Sequence, residues 1–226
     1  MKNIVLGVTG SIAAYKACEL ARLMVKAGWD VHVIMTAAAQ KFVAPLTFQT
    51  LSRNPVGTDA FAPPADWTPE HVALAERADI LLVAPCTANF IAKLAHGLAD
   101  DLLASTALAT RAPLVIAPAM NDGMWDNPAT QLNLDILRAR GVSIIEPGEG
   151  ELACGACGNG RMAGPKEIFD FLNKAKSRDE QDCPIELNPA TLSKNTNEHD
   201  LPPPPPASRP AATQRHVAAS QYQRTP

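Results

Sequence analysis

Short apolar runs and helix-patterned segments alternate along this chain from residue 3 to about residue 175. Asn3–Gly7, Val31–Met35, Ile80–Ala84, Leu114–Ala117 and Val142–Ile145 are brief, apolar and bounded by turn residues, the pattern of strands buried on both faces. Helices are expected over Ile12–Ala27 (stopped by Gly28), His71–Ala78, Phe90–Ala95 and Asp101–Thr110, then from near Asn127 to Arg140 and over Lys166–Ala175. A short helix begins at Thr36 and holds Phe42, Leu46–Leu51 makes another turn, and residues 55–69 are irregular with one short strand. Such alternation predicts a three-layer α/β/α domain, with a mainly parallel sheet of about six strands covered on both faces.

The pattern fails beyond Lys176. All 13 glycines lie at or before Gly164, whereas 9 of the 20 prolines lie at or after Pro184, including the run Pro202–Pro206. A polar, proline-rich segment buries too little apolar surface to offset chain entropy. The expected organisation is therefore a folded domain over residues 1–176 and a disordered tail over 177–226. With 20 basic and 23 acidic residues, a net charge of −3 and no basic stripe, nucleic acid is not an expected partner. Met1-Lys2-Asn3 leads straight into the first strand without a signal-peptide pattern, and no apolar run is long enough to span a bilayer. Five cysteines without disulfide-like spacing suit a reducing cytoplasm.

In a parallel sheet the loops leaving the strands' carboxyl ends gather on one edge, where open α/β sheets bind ligands. Four loops do so here: Gly7–Ser11, Thr36 onward, Pro85–Asn89 and Pro118–Trp125. Three carry hydroxyls near a helix start (Thr9 and Ser11, Thr36, Thr87), where free amides and the helix dipole favour a phosphate. The plainer reading is that each hydroxyl caps a helix. The glycine spacing is not that of a dinucleotide fingerprint and no P-loop lysine follows, so a mononucleotide fits better than NAD or ATP. In Pro118–Trp125 a carboxamide, Asn121, lies among Met120, Met124 and Trp125: either a substrate-binding loop or a turn whose Asn caps and whose Met and Trp fill the core. Glu146–Gly164 reads as a glycine-rich loop too long for a simple turn, a length that is often functional.

Several motifs, in order and spacing, resemble the homo-oligomeric flavin-containing cysteine decarboxylases: Gly7-Val8-Thr9-Gly10-Ser11-Ile12-Ala13, His71-Val72-Ala73-Leu74, Pro85-Cys86-Thr87-Ala88-Asn89, Gly97–Leu103, Pro118–Trp125, Leu152-Ala153-Cys154-Gly155 and Gly160-Arg161-Met162. The resemblance covers about residues 3 to 175 and implies a Rossmann-like flavoprotein fold with bound FMN. Gly10, Ser11, Ile12 and Thr36 would lie near the cofactor's phosphate or ribityl chain and Phe42 near its ring. Thr87, Ala88, Asn89 and Met120 would complete its site. It also implies homo-oligomers built from trimers, up to a dodecamer, with the active site at a subunit interface.

The activity implied is decarboxylation of 4′-phosphopantothenoylcysteine to 4′-phosphopantetheine in coenzyme A biosynthesis. An N-acyl cysteine carboxylate loses CO2 slowly because the carbanion left behind has no electron sink. Flavin oxidation to a thioaldehyde provides one; CO2 loss then gives an enethiolate, which the reduced flavin returns to the thiol. His71 would act as base, Asn121 would bind the carboxylate, Met124 would shape the pocket, and Cys154 would bind substrate and supply the final proton. The family commonly shows an acidic residue, a variable residue, Gly and Pro after Cys-Gly, where this chain has Ala156-Cys157-Gly158-Asn159. The resulting C-x-x-C also admits a zinc site or a redox dithiol, but further ligands and a thioredoxin-like context are both missing from the sequence. No metal is expected, and the role of Cys157 stays open.

Three other functions compete with this one. A peptidyl-cysteine decarboxylase, which stops at the enethiol, would not need Cys154. A flavin prenyltransferase should lack the Pro118–Trp125 and Cys154 motifs, and a non-catalytic flavin-binding regulatory subunit should lack one of His71, Asn121 and Cys154.

Overall fold

The computed structural model describes residues 2–62, 67–151 and 157–174, without the side chains of Glu149, Glu151 and Cys157. In chain order the elements are β1 (Asn3–Val8), α1 (Ala14–Lys26), β2 (Asp30–Met35), a 3-10 turn (Ala39–Lys41), α2 (Pro45–Ser52) and β3 (Val56–Gly57). There follow α3 (Glu70–Arg77), β4 (Ile80–Cys86), α4 (Ala88–His96), α5 (Leu102–Ala109) and β5 (Leu114–Pro118). The remainder comprises α6 (Asp122–Trp125), α7 (Pro128–Ala139), β6 (Ser143–Ile144), β7 (Gly148–Glu151), β8 (Cys157–Arg161) and α8 (Pro165–Lys174). The tail assigned from sequence to residues 177–226 lies outside the described residues.

Six strands form one all-parallel sheet in the order β3-β2-β1-β4-β5-β6. The chain winds outward from β1 in both directions, so the crevice between the carboxyl ends of β1 and β4 is the switch point at which such sheets take ligands. Helices cover both faces, as the alternation of strands and helices predicts.

The strands are apolar throughout because consecutive side chains enter opposite cores. Ile4, Leu6, Val31, Val33, Ile80, Leu82 and Val115 pack on the face that also buries Leu20 and Met24 of α1, Phe48 of α2 and Ile168 of α8. Val5, Ile34, Leu81, Val83 and Ile116 pack on the other face with Leu74 of α3, Phe90 of α4, Leu103 of α5 and Leu134 of α7. Each fully buried aliphatic side chain contributes about 1.5–3 kcal/mol, so the two cores hold the sheet edge as a rigid platform.

Local chemistry sets the helix starts. Asp101 opens α5 by accepting the Ala104 amide at 2.8 Å, and Asn127 opens α7 by accepting the Ala129 amide at 2.9 Å with Pro128 in the first turn.

The glycine-rich stretch after Glu146 is not a plain loop. β7 and β8 pair antiparallel, Gly148 with Arg161 through Glu151 with Cys157. Glycine weakens the usual strand signal, which is why alternation alone did not reveal this hairpin.

Candidate active site

The four loops form one hydrogen-bonded row. Thr36 N–H donates to Val8 O (3.1 Å), joining the β2 loop to β1. Thr9 joins β1 to β4: its hydroxyl donates to Pro85 O (2.7 Å) and accepts the Thr87 amide (3.0 Å). Ala119 N–H donates to Cys86 O (3.0 Å), joining β5 to β4, and Met120 N–H donates to Gly160 O (3.0 Å), joining the hairpin to the β5 loop.

The hydroxyls divide into two roles. Thr9 is buried and fully committed to its two bonds, so it is a structural staple. Ser11, Thr36 and Thr87 each accept a local amide, from Ala13 (3.3 Å), Ala39 (3.3 Å) and Phe90 (3.4 Å) respectively. Thr36 also donates its hydroxyl to Val8 O at 3.5 Å; for Ser11 and Thr87, accepting an amide occupies one lone pair and leaves the hydroxyl hydrogen to donate elsewhere, so capping and ligand binding are compatible.

This edge fits a phosphate-bearing mononucleotide. Helix α1 starts without a side-chain cap or an acidic residue in its first turn. Among the described residues, the amides of Gly10 and Ile12 in the approaching loop have no protein acceptor. Unsatisfied amides at the positive end of a 13-residue helix form an anion cradle. Gly10 keeps the cradle narrow: a Cβ there would stand 2.4 Å from Ala38 Cβ, so the β1 and β2 loops approach only because the position is glycine. Ile12 and Phe42 are about half exposed beside it, apolar surface of the kind a flat ring covers. Ala88 is half-buried at the start of α4 and Asn89 exposed.

Asn121 lies on the adjoining loop as the N-cap of α6, its Oδ1 accepting the Gly123 amide at 2.9 Å. A carboxamide carries NH2 donors as well as an acceptor oxygen, the polarity a carboxylate needs. Met120 and Trp125 are partly buried against the core, while Met124 is 49% exposed. Asn121 therefore caps α6 at the carboxyl edge of the sheet, and Met124 is too exposed to be core filler.

The hairpin rests on this loop through its glycines. A Cβ on Gly160 (φ 126°) would meet Met120 O at 2.4 Å, and one on Gly158 would meet Asp122 Cβ at 2.9 Å. Gly160 belongs to the Gly160-Arg161-Met162 motif and Gly158 to the stretch that departs from the family, and their Gly-x-Gly spacing within a strand is the signal of close backbone approach. Cys154, expected between the two hairpin strands, lies outside the described residues, and Cys157 is described only as backbone in β8. Cys86 is buried and burial pushes its thiol well up, which makes it inert.

His71 is half-buried in the first turn of α3, at the same carboxyl edge but on the far flank. Its neighbour Glu70 sits against β3, where a Cβ on Gly57 would lie 3.1 Å from the Glu70 carboxylate. Burial, then the nearby Asp59, pushes the Glu70 carboxyl up. β3 and β5 are four strand positions apart. At about 4.8 Å per strand that is roughly 19 Å. Glu70 beside Gly57 sets the start of α3 near β3 at this edge, whereas Asn121 follows β5. Among the described residues no group of three or more His, Cys, Asp or Glu could hold a metal, and no helix is long and apolar enough to cross a membrane.

Comparison with known proteins agrees with this architecture. The coenzyme A biosynthesis bifunctional protein CoaBC of Bacillus subtilis is 48% identical over 185 residues, covering 82% of this chain and 45% of that protein. The chain thus spans about half the length of such bifunctional relatives. A probable phosphopantothenoylcysteine decarboxylase of Streptococcus mutans is 46% identical over 175 residues, covering 76% of this chain and 98% of that protein. Among solved structures, a PPC decarboxylase mutant complexed with pantothenoylaminoethenethiol has a TM-score of 0.68 and 31% identity, covering 76% of this chain and 96% of that one. The FMN binding protein AtHal3 has a TM-score of 0.67 and 32% identity, covering 76% and 95%. The family model described as Flavoprotein matches residues 1–177, and the chain belongs to that family.

Proposed function

We propose that this protein is an FMN-dependent carboxy-lyase that converts 4′-phosphopantothenoylcysteine to 4′-phosphopantetheine and CO2, a step of coenzyme A biosynthesis in the cytoplasm. The observation that carries this reading is the adjacency of an amide-lined phosphate cradle at Gly10–Ile12 and a carboxamide at Asn121, joined through Thr9, Thr87 and Ala119.

Residues 1–176 are the catalytic domain and 177–226 its proline-rich tail. Gly10, Ser11, Ile12 and Thr36 hold the FMN phosphate and ribityl chain, while Phe42, Thr87, Ala88, Asn89 and Met120 border its ring. When bound, FMN supplies the two-electron acceptor that the substrate lacks.

Asn121 donates to the substrate carboxylate and fixes the bond that breaks, and Met120 and Met124 exclude water around it. His71 takes the thiol proton, and Cys154 returns a proton to carbon at the end of the cycle. The active enzyme is a homo-oligomer built from trimers, as the family resemblance implies, and His71 of one copy serves the pocket of a neighbouring copy. Ile12, Tyr15, Phe42 and Leu46 supply exposed apolar surface near α1 and α2 for such contacts.

The test is direct. The purified chain, loaded with FMN, should be yellow and release CO2 from 4′-phosphopantothenoylcysteine with formation of 4′-phosphopantetheine. A protein that retains FMN but releases no CO2 from this substrate refutes the assignment.

A further inference from the structure

We infer that Lys16 and Arg161 together form a receiving site for a phosphate monoester, that of the substrate. The inference rests on the substrate class proposed above and adds the groups that grip its far end.

Lys16 occupies the first turn of α1, where no acidic residue sits and where the helix dipole disfavours a cation. Its ammonium donates to Met162 O at 3.3 Å, which brings it beside the base of β8 and the neighbouring Arg161. Burial, then the charge of Arg161, pulls the Lys16 pKa down. Gly150 leaves room for the guanidinium across the hairpin: a Cβ there would stand 3.1 Å from Arg161 Nη1. Among the described residues neither cation pairs with a carboxylate. Among the described residues these two cations converge without a counter-charge, an arrangement that a dianionic phosphate stabilises.

Position favours the substrate's phosphate over the flavin's. Lys16 reaches Met162, just ahead of α8, whereas Thr36 and the proposed flavin cradle lie toward α2. Arg161 directly follows Gly160, whose carbonyl holds the Met120–Asn121 loop. The hairpin thus carries a cation from the loop that takes the carboxylate toward Lys16. In 4′-phosphopantothenoylcysteine the carboxylate and phosphate stand at opposite ends of a chain with two amide units. One loop and its hairpin can therefore read both ends.

The experiment compares 4′-phosphopantothenoylcysteine with its dephosphorylated form, pantothenoylcysteine, on the FMN-loaded full chain. Arg161→Gln and Lys16→Met should each lower kcat/KM for the phosphorylated substrate about tenfold, mostly through KM. Turnover of the dephosphorylated form and flavin absorbance should stay unchanged, and Arg161→Lys should keep most of the discrimination. Calorimetry with 4′-phosphopantothenate and pantothenate on the unaltered protein gives a reading that needs no variant to fold. A preference for the phosphorylated ligand below about threefold overturns the inference. So do equal losses on both substrates, while flavin loss in step with each variant moves the pair to the cofactor's phosphate. An unaltered enzyme that turns over neither substrate refutes the proposed function itself; one that turns over both equally refutes only the phosphate site.

Discussion

The two halves of the ligand edge are built differently. On the β1–β4 side a buried side chain does the joining: Thr9 spends both its donor and an acceptor on β4, and the Gly10 loop closes against Ala38. On the β5–hairpin side the joining is backbone on backbone, a Met120–Gly160 hydrogen bond with two glycines lying where any Cβ would collide. The first arrangement fixes a shape before any ligand arrives. The second holds a two-stranded ribbon against one loop, and an isolated ribbon has little stability of its own. The half proposed to hold the cofactor is thus preorganised by the core, whereas the half proposed to take the substrate depends on one contact line.

Substitutions should separate the two halves. The largest effect is expected for Gly160→Ala. The new methyl must displace Met120 O, and φ of 126° is strained for any L side chain. A shift of about 1 Å in Asn121 can cost about 100-fold in kcat/KM, with flavin content unchanged. An active Gly160→Ala enzyme would show that the hairpin does not set the Asn121 geometry.

Thr9→Val should do the reverse. It keeps the shape, and Pro85 O keeps the Thr9 backbone amide at 3.3 Å, but the Thr87 amide is stranded, costing about 2 kcal/mol in urea unfolding and weakening flavin retention. Unchanged stability would mean that water replaces the staple. Thr87→Ala removes the cap of α4 and should cost about 1 kcal/mol in the same assay.

The smallest effect belongs to the opposite end of the sheet and serves as the control. Burial would raise the Asp30 carboxyl, but hydrogen bonds from Asn54 and His32 outweigh it and hold the group below its ordinary value. A depressed folded-state value means that the stabilisation is present above the ordinary carboxylate range and is lost as pH falls through the lowered one, below about pH 4. Asp30→Asn should flatten that acid loss in urea midpoints while leaving turnover at neutral pH alone.

The sheet was legible in the sequence because burial on both faces leaves continuous apolar runs such as Ile80–Cys86, which few other environments produce. The ligand edge was legible for a related reason: carboxyl-end loops must gather, so Ser11, Thr36, Thr87 and Asn121 could be placed together without coordinates. The hairpin was not, since Gly148–Glu151 and Cys157–Arg161 carry neither alternation nor β-branched residues. Nor was the duty of Thr9, which looks like Ser11 in the sequence. Only the cis-facing approach of Pro85 O and the Thr87 amide separates a staple from a ligand donor. The order of the strands was hidden for a third reason: strand adjacency, unlike strand identity, is not written in any local segment.

In the homo-oligomer proposed above, where residue 71 of one copy serves the pocket that holds residue 121 of another, a solitary copy would own two unmatched halves of two different pockets. Dilution could then silence it while every fold-sensitive probe still reads native. In a mixed population, a subunit damaged at one of these positions would spoil only the pocket to which that half belongs.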